Sequence, residues 1–118
     1  MTAPGALHHA VQARRRLGQG WSSRLLQQVL LGLLTSATAR EYASVGVRVN
    51  GIVCGTFDTD AAAGLTQNPD MLQGILSSVA LGRVGRPDEV VGAVVYLLSD
   101  ASSYTTASLM TIDGGVAG

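Results

Sequence analysis

Apolar residues recur at spacings of three and four from about Leu25 to Ala43, where Leu26, Val29, Leu30, Leu33, Leu34 and Ala37 share one wide face. That is the period of an α-helix, and a face so broad predicts burial on more than one side. Gly46 follows where a left-handed residue would end the helix. The pattern then changes: Val47-Arg48-Val49-Asn50-Gly51-Ile52-Val53 is rich in β-branched residues and apolar on both faces, which predicts a central parallel strand. After Gly55, the small-residue run Asp60-Ala61-Ala62-Ala63-Gly64 has the composition of a lid, and Met71, Leu72, Ile75 and Leu76 predict a short helix. A second long helix is signalled by Pro87 at its first position, with Asp88 and Glu89 where the helix dipole favours negative charge. Val90, Val94, Leu97 and Leu98 repeat on one face, and Ser99-Asp100 closes it. Leu109-Met110-Thr111-Ile112-Asp113 predicts a second strand that stops at Gly114-Gly115.

Helix, strand, lid, helix, strand is the order of an α/β fold whose parallel strands are joined by a right-handed crossover. A chain of 118 residues holds one domain or part of one. Residues 25–118 carry the pattern. Residues 1–24 match nothing and are expected to be poorly ordered or irregular. Arg14 to Arg16, then Leu25 to Leu34, then Ala37-Thr38-Ala39 imitate a secretory signal, but the cleavage point would fall inside the first helix. The apolar run is also broken by Gln27 and Gln28 and is too short to span a bilayer. No membrane association and a cytoplasmic location are the expectations.

Charge narrows the function classes. Arg14, Arg15, Arg16, Arg24 and Arg40 all precede the first acidic residue, Glu41, and every carboxylate follows. The sequence holds no lysine, and its second part is net acidic, which argues against nucleic-acid binding. The single cysteine, Cys54, excludes an intramolecular disulfide. His8-His9 stands without further ligands, so no metal site is expected.

Ala39-Arg40-Glu41-Tyr42-Ala43, Val47-Arg48-Val49-Asn50, Leu81-Gly82-Arg83-Val84-Gly85-Arg86-Pro87-Asp88-Glu89-Val90 and Asp113-Gly114-Gly115 stand in one order and spacing. In this, residues 29–115 resemble the carboxyl-terminal part of a short-chain dehydrogenase/reductase, and Ser99-Asp100 and Ser103-Tyr104-Thr105-Thr106 fit as well. The resemblance implies a partial doubly wound Rossmann-like fold: the last two parallel strands with flanking helices, the amino-terminal strands missing, and a substrate loop between the strands. It implies NAD or NADP as cofactor. The family's contact here is a Pro-Gly dipeptide after the first of these strands and a Thr four residues beyond the Gly, matched by Cys54-Gly55 and Thr59. Gly55, Thr56 and Thr59 therefore resemble cofactor-binding residues, the Gly admitting the nicotinamide side and the hydroxyls holding its polar atoms. Cys54 replaces the proline and removes a conformational lock. A plain strand-end turn at Gly55 is the competing reading.

Enzymes of this family move a hydride between NAD(P) and a carbonyl or alcohol, using a Tyr whose pKa is lowered by a Lys four residues later. Counted back from Glu41, that pair falls near Arg24 and Gln28, and a chain without lysine cannot hold it elsewhere. No catalytic residue is assigned. Gly18-Gln19-Gly20 is too short for the glycine-rich cofactor turn and follows no strand. The reading is a truncated or degenerate family member, inactive alone. Its alternatives are a non-catalytic module docking on a full-length relative, or a product without a role. The unpaired edge of the Val47–Val53 strand predicts a homo-oligomer or association with such a relative.

Overall fold

The computed structural model describes residues 23–116. Helix α1 (Ser23–Tyr42) leads through a 3₁₀ turn, Ala43–Val45, toward strand β1 (Gly51–Cys54). A 3₁₀ turn at Asp60–Ala62, α2 (Ala63–Thr66) and α3 (Pro69–Ser78) follow. The 3₁₀ turn Pro87–Val90 opens into α4 (Val91–Leu98), and a last 3₁₀ turn, Asp100–Ser102, precedes strand β2 (Leu109–Ile112). Among the described residues the sheet has two strands. Gly51 N–H donates to Ser108 O at 2.9 Å and Gly55 N–H to Ile112 O at 2.8 Å; the constant offset between donor and acceptor makes the strands parallel. The expected α/β architecture is present.

The chain divides into two compact units. Of the described residues, the first holds 23–51, with α1, and 104–110. Gly46, at φ 80°, ends the helical run as its left-handed residue, with Gly46 N–H on Ala43 O and Val47 N–H on Tyr42 O. Helix and strand approach closely through glycine: a Cβ at Gly51 would stand 2.7 Å from Leu109 Cδ1 and 3.0 Å from Thr35 Oγ1. The predicted strand Val47–Val53 shortens here, since β1 starts at Gly51. Over residues 48–50, side chains supply most of the bonds to residues 105–108. Arg48 Nη1 and Asn50 Nδ2 both donate to Thr105 O at 3.0 Å, Ser108 N–H donates to Asn50 Oδ1 at 3.1 Å, and Val49 N–H donates to Thr106 Oγ1 at 3.1 Å. Val49 O accepts from Ala107 N–H at 2.8 Å, and Ala107, at φ 59°, is the one described non-glycine residue with positive φ. Burial of α1 on more than one side is corrected as well. Thr35 and Ala39 are buried, but Leu30 and Leu34 are 46% and 62% exposed, because the described residues cover a single stripe of the helix.

Of the described residues, the second unit holds 52–103 and 111–116. Its small-residue stretch, expected to be a lid, forms the Asp60–Ala62 turn and α2. Asn68 caps α3, its Oδ1 accepting from Asp70 N–H at 3.1 Å and Met71 N–H at 3.2 Å, with Pro69 at the first helical position. The helix expected from Pro87 does start there, as a 3₁₀ turn before α4. Its end is closed by Ser102, 1% exposed, whose hydroxyl donates to Leu97 O and Ser99 O at 3.0 Å each. Gly114 and Gly115 take φ of 69° and 80° after β2. This bend lets Leu81 N–H reach Gly114 O at 3.0 Å and Ala80 N–H reach Gly115 O at 2.9 Å.

Candidate functional site

Beyond β1 the chain is guided by two backbone approaches. At Gly55 a Cβ would stand 2.6 Å from Asp113 Cα, so the strand can pass the end of β2 here because it has no side chain. One turn further, Gly85 N–H donates to Thr56 O at 3.0 Å and Asp58 N–H to Gly85 O at 2.8 Å. The two bonds bracket Phe57, which makes a parallel bridge with Gly85, and its ring fills the space where a Gly85 side chain would be, 2.7 Å from that Cβ position. Thr59 is extended and leads into the Asp60–Ala62 turn, yet its hydroxyl caps no backbone N–H there.

The result is a cleft of about 460 Å³ lined by Cys54, Gly55, Thr56, Phe57 and Thr59 together with Leu65, Pro87 and Val90. Gly55, Thr56 and Thr59, singled out from the sequence, thus meet in one place. Gly55's lack of a side chain is already required by Asp113, which favours the strand-end reading for its residue type. It leaves the backbone of the same residue on the cleft. Cys54, a free and exposed thiol, is the last residue of β1.

A carboxylate stands behind this wall. Glu89 forms a two-pronged pair with Arg83, Nη2 to Oε1 at 2.7 Å and Nη1 to Oε2 at 2.8 Å, a geometry that matches the guanidinium fork. Glu89 Oε2 also accepts from Arg86 N–H at 2.7 Å. Arg83, followed by the Arg86 amide, holds the Glu89 carboxyl down at about 2 against an ordinary 4.5. The same pair raises the Arg83 pKa. Arg83 and Glu89 line a smaller hollow of about 230 Å³ with Thr56, Phe57, Gly85 and Asp113. None of Gly85, Glu89 or Asp113 had been given a place in the site from sequence, although all lie in the segments that carried the resemblance. Opposite charges six residues apart, flanking Gly85-Arg86-Pro87, were the available signal.

Arg24 and Gln28, at the positions where the family's Tyr and Lys are expected, lie on α1. His8-His9, Arg14 to Arg16 and Gly18-Gln19-Gly20 lie outside the described residues. Among the described residues no group of three or more His, Cys, Asp or Glu could hold a metal ion, and no helix is long and apolar enough to cross a membrane.

Residues 27–117 match the family model described as enoyl-(acyl carrier protein) reductase. Over 85 residues the chain is 39% identical to 2-dehydro-3-deoxy-D-gluconate 5-dehydrogenase of Pseudoalteromonas atlantica, covering 72% of this chain and 34% of that protein. It is similar in structure to 4-hydroxyisoleucine dehydrogenase complexed with NADH, with a TM-score of 0.70, 32% identity, and 77% of this chain and 37% of the other covered. A candidate 2-deoxy-D-gluconate 3-dehydrogenase of Agrobacterium tumefaciens with bound NADP matches with a TM-score of 0.68 and 31% identity, over 71% of this chain and 34% of the other. The chain spans about a third of the length of the curated relatives it matches.

Proposed function

The chain belongs to the short-chain dehydrogenase/reductase family, and we propose on that footing that its cleft is the nicotinamide-side wall of an NAD(P) site. The observation that carries this reading is the meeting of Gly55, Thr56 and Thr59 on one cleft. The residues suit the group. Two hydroxyls and a glycine backbone can bind the oxygens and amide of a carboxamide or phosphate, while Phe57, Leu65 and Val90 supply apolar surface for a flat ring. Bound there, the cofactor would give a hydride to a carbonyl in its reduced form or accept one from an alcohol in its oxidised form. The task of this chain's residues is to orient it and to exclude water from its face.

The proton step has no owner in this sequence. Arg24 and Gln28 cannot act as the Tyr and its Lys, since a guanidinium stays protonated and a carboxamide does not titrate. With no lysine at all, we read the chain as a truncated or degenerate member of the family that binds cofactor but turns nothing over by itself. A cytoplasmic setting is in keeping with its one free thiol. Calorimetric titration with NADH and with NADPH tests this. Saturable binding to at least one, weakened by Thr59→Val, with no oxidation of that cofactor when a carbonyl substrate is added, is the expected outcome. Absence of binding by both would refute it.

A second reading is favoured by Leu30 and Leu34, which stand exposed on α1 with Leu31 beside them, 36% exposed. In it the helix docks on a second copy or a full-length relative, since such an apolar face favours association. Size-exclusion chromatography decides: association that Leu34→Glu disrupts supports docking, and a wild-type monomer removes it.

A further inference from the structure

We infer that Glu89 is a positioning residue for the cleft wall, setting the place of Thr56, Phe57 and Thr59 by fixing Gly85 between Arg83 and Arg86. This rests on the reading of the cleft as a cofactor site. Gly85 is the lever. Its N–H and C=O make the two bonds that bracket Phe57, and the Phe57 ring lies against its backbone. Wherever Gly85 sits, Thr56 on one side and Asp58 on the other sit with it, and Thr59 follows. Gly85 has no side chain with which to hold its own position.

What holds it is the carboxylate four residues on. Glu89 takes both prongs of the Arg83 side chain and the backbone N–H of Arg86, so one side chain ties down the chain on each side of Gly85. Its own place is fixed by the 3₁₀ turn that Pro87 starts, where Glu89 N–H donates to Arg86 O at 2.9 Å. Arg86 is further engaged by Asp88, Nε to Oδ1 at 3.2 Å, and its Nη2 lies 3.7 Å from Glu89 Oε1. Glu89 lines the 230 Å³ hollow and not the cleft. It acts through backbone, and no contact with a ligand is required of it.

The test uses the whole chain, labelled with ¹⁵N, with NADH as the probe and the variants Glu89→Ala and Glu89→Gln. Removing several charge-assisted hydrogen bonds should weaken NADH binding about tenfold in Glu89→Ala. Glu89→Gln, which keeps an acceptor for Arg86 N–H, should fall between it and wild type. Amide exchange gives the reading that a general loss of structure would not reproduce: the Asp58 and Gly85 amides exchange faster in Glu89→Ala, while the Gly55 amide, bonded to Ile112 O, keeps its protection. Unchanged protection at Asp58 and Gly85, or loss at Gly55 alongside them, overturns the assignment. Wild-type protein that binds no NADH removes the cofactor reading instead, and the exchange pattern still decides whether Glu89 positions the wall.

Discussion

Residues 48–50 and residues 55–58 both tie the chain around β1 to segments far away in sequence, the first mainly through side chains, with one backbone bond at Val49 O, and the second through backbone alone. Ahead of the strand, Arg48 and Asn50 reach across with side chains to the backbone of Thr105 and Ser108. Behind it, the contacts are backbone to backbone, at Gly55 against Asp113 and at Gly85 against Thr56 and Asp58. A long side chain can shift by a rotamer and keep its bond, whereas two backbones in contact have no such slack. The rigid pairing is the one that shapes the cleft, and the adjustable one closes the opposite end of the strand.

The backbone approach at Gly55 has the least slack, and a change there has the largest effect. Gly55→Ala puts a Cβ 2.6 Å from Asp113 Cα, and overpacking against backbone should cost about 3 kcal/mol. Gly46→Ala, at φ 80° but with nothing within 4 Å, should cost about 1 kcal/mol from conformation alone. Urea denaturation of both variants measures the gap, and equal losses would show that Asp113 is not the constraint. Asn50→Ala removes a donor and an acceptor at once and should cost about 2 kcal/mol. Asn50→Asp keeps the acceptor for Ser108 N–H but sets a carboxylate oxygen against Thr105 O in place of a donor, so it should lose stability too, and unchanged stability in both variants would show that these bonds do not form in solution. The smallest effect is electrostatic. Because the Glu89 carboxyl is held at about 2 in place of 4.5, whatever it adds to stability is complete above pH 4.5 and is lost as pH falls toward 2. A ¹³C titration of that carboxyl should have its midpoint near the lower value, and one near 4.5 would show Arg83 unpaired.

The parts legible from sequence are those where one residue type settles a local shape. Gly46, Pro87 and Gly114-Gly115 marked the ends of elements correctly because φ, or a missing N–H, is decided at the residue itself. The period of α1 was legible, but what covers it was not, since an apolar pattern names a face without naming its partner. Val47–Asn50 read as strand because β-branched residues favour it; that Asn50 would bond in place of the ladder depends on Thr105 and Ser108, which composition does not bring near. In the site, Gly55, Thr56 and Thr59 came from family resemblance. Gly85 and Asp113 escaped because their part is contact with residues roughly 30 to 60 positions away; Glu89, whose partners Arg83 and Arg86 are close in sequence, escaped because its part depends on what Gly85 touches.

The bonds from residues 48–50 to residues 105–108 join positions 55 to 58 apart in sequence, and the parallel ladder of β1 and β2 keeps a like separation. No bond of this sheet can form as a local event, so the full entropy of closing that loop is incurred before the first of them appears. Helix α1 can come and go within microseconds by itself. The sheet sets the pace, and because closure entropy rises only slowly with loop length, trimming the segment between the strands would hasten folding very little.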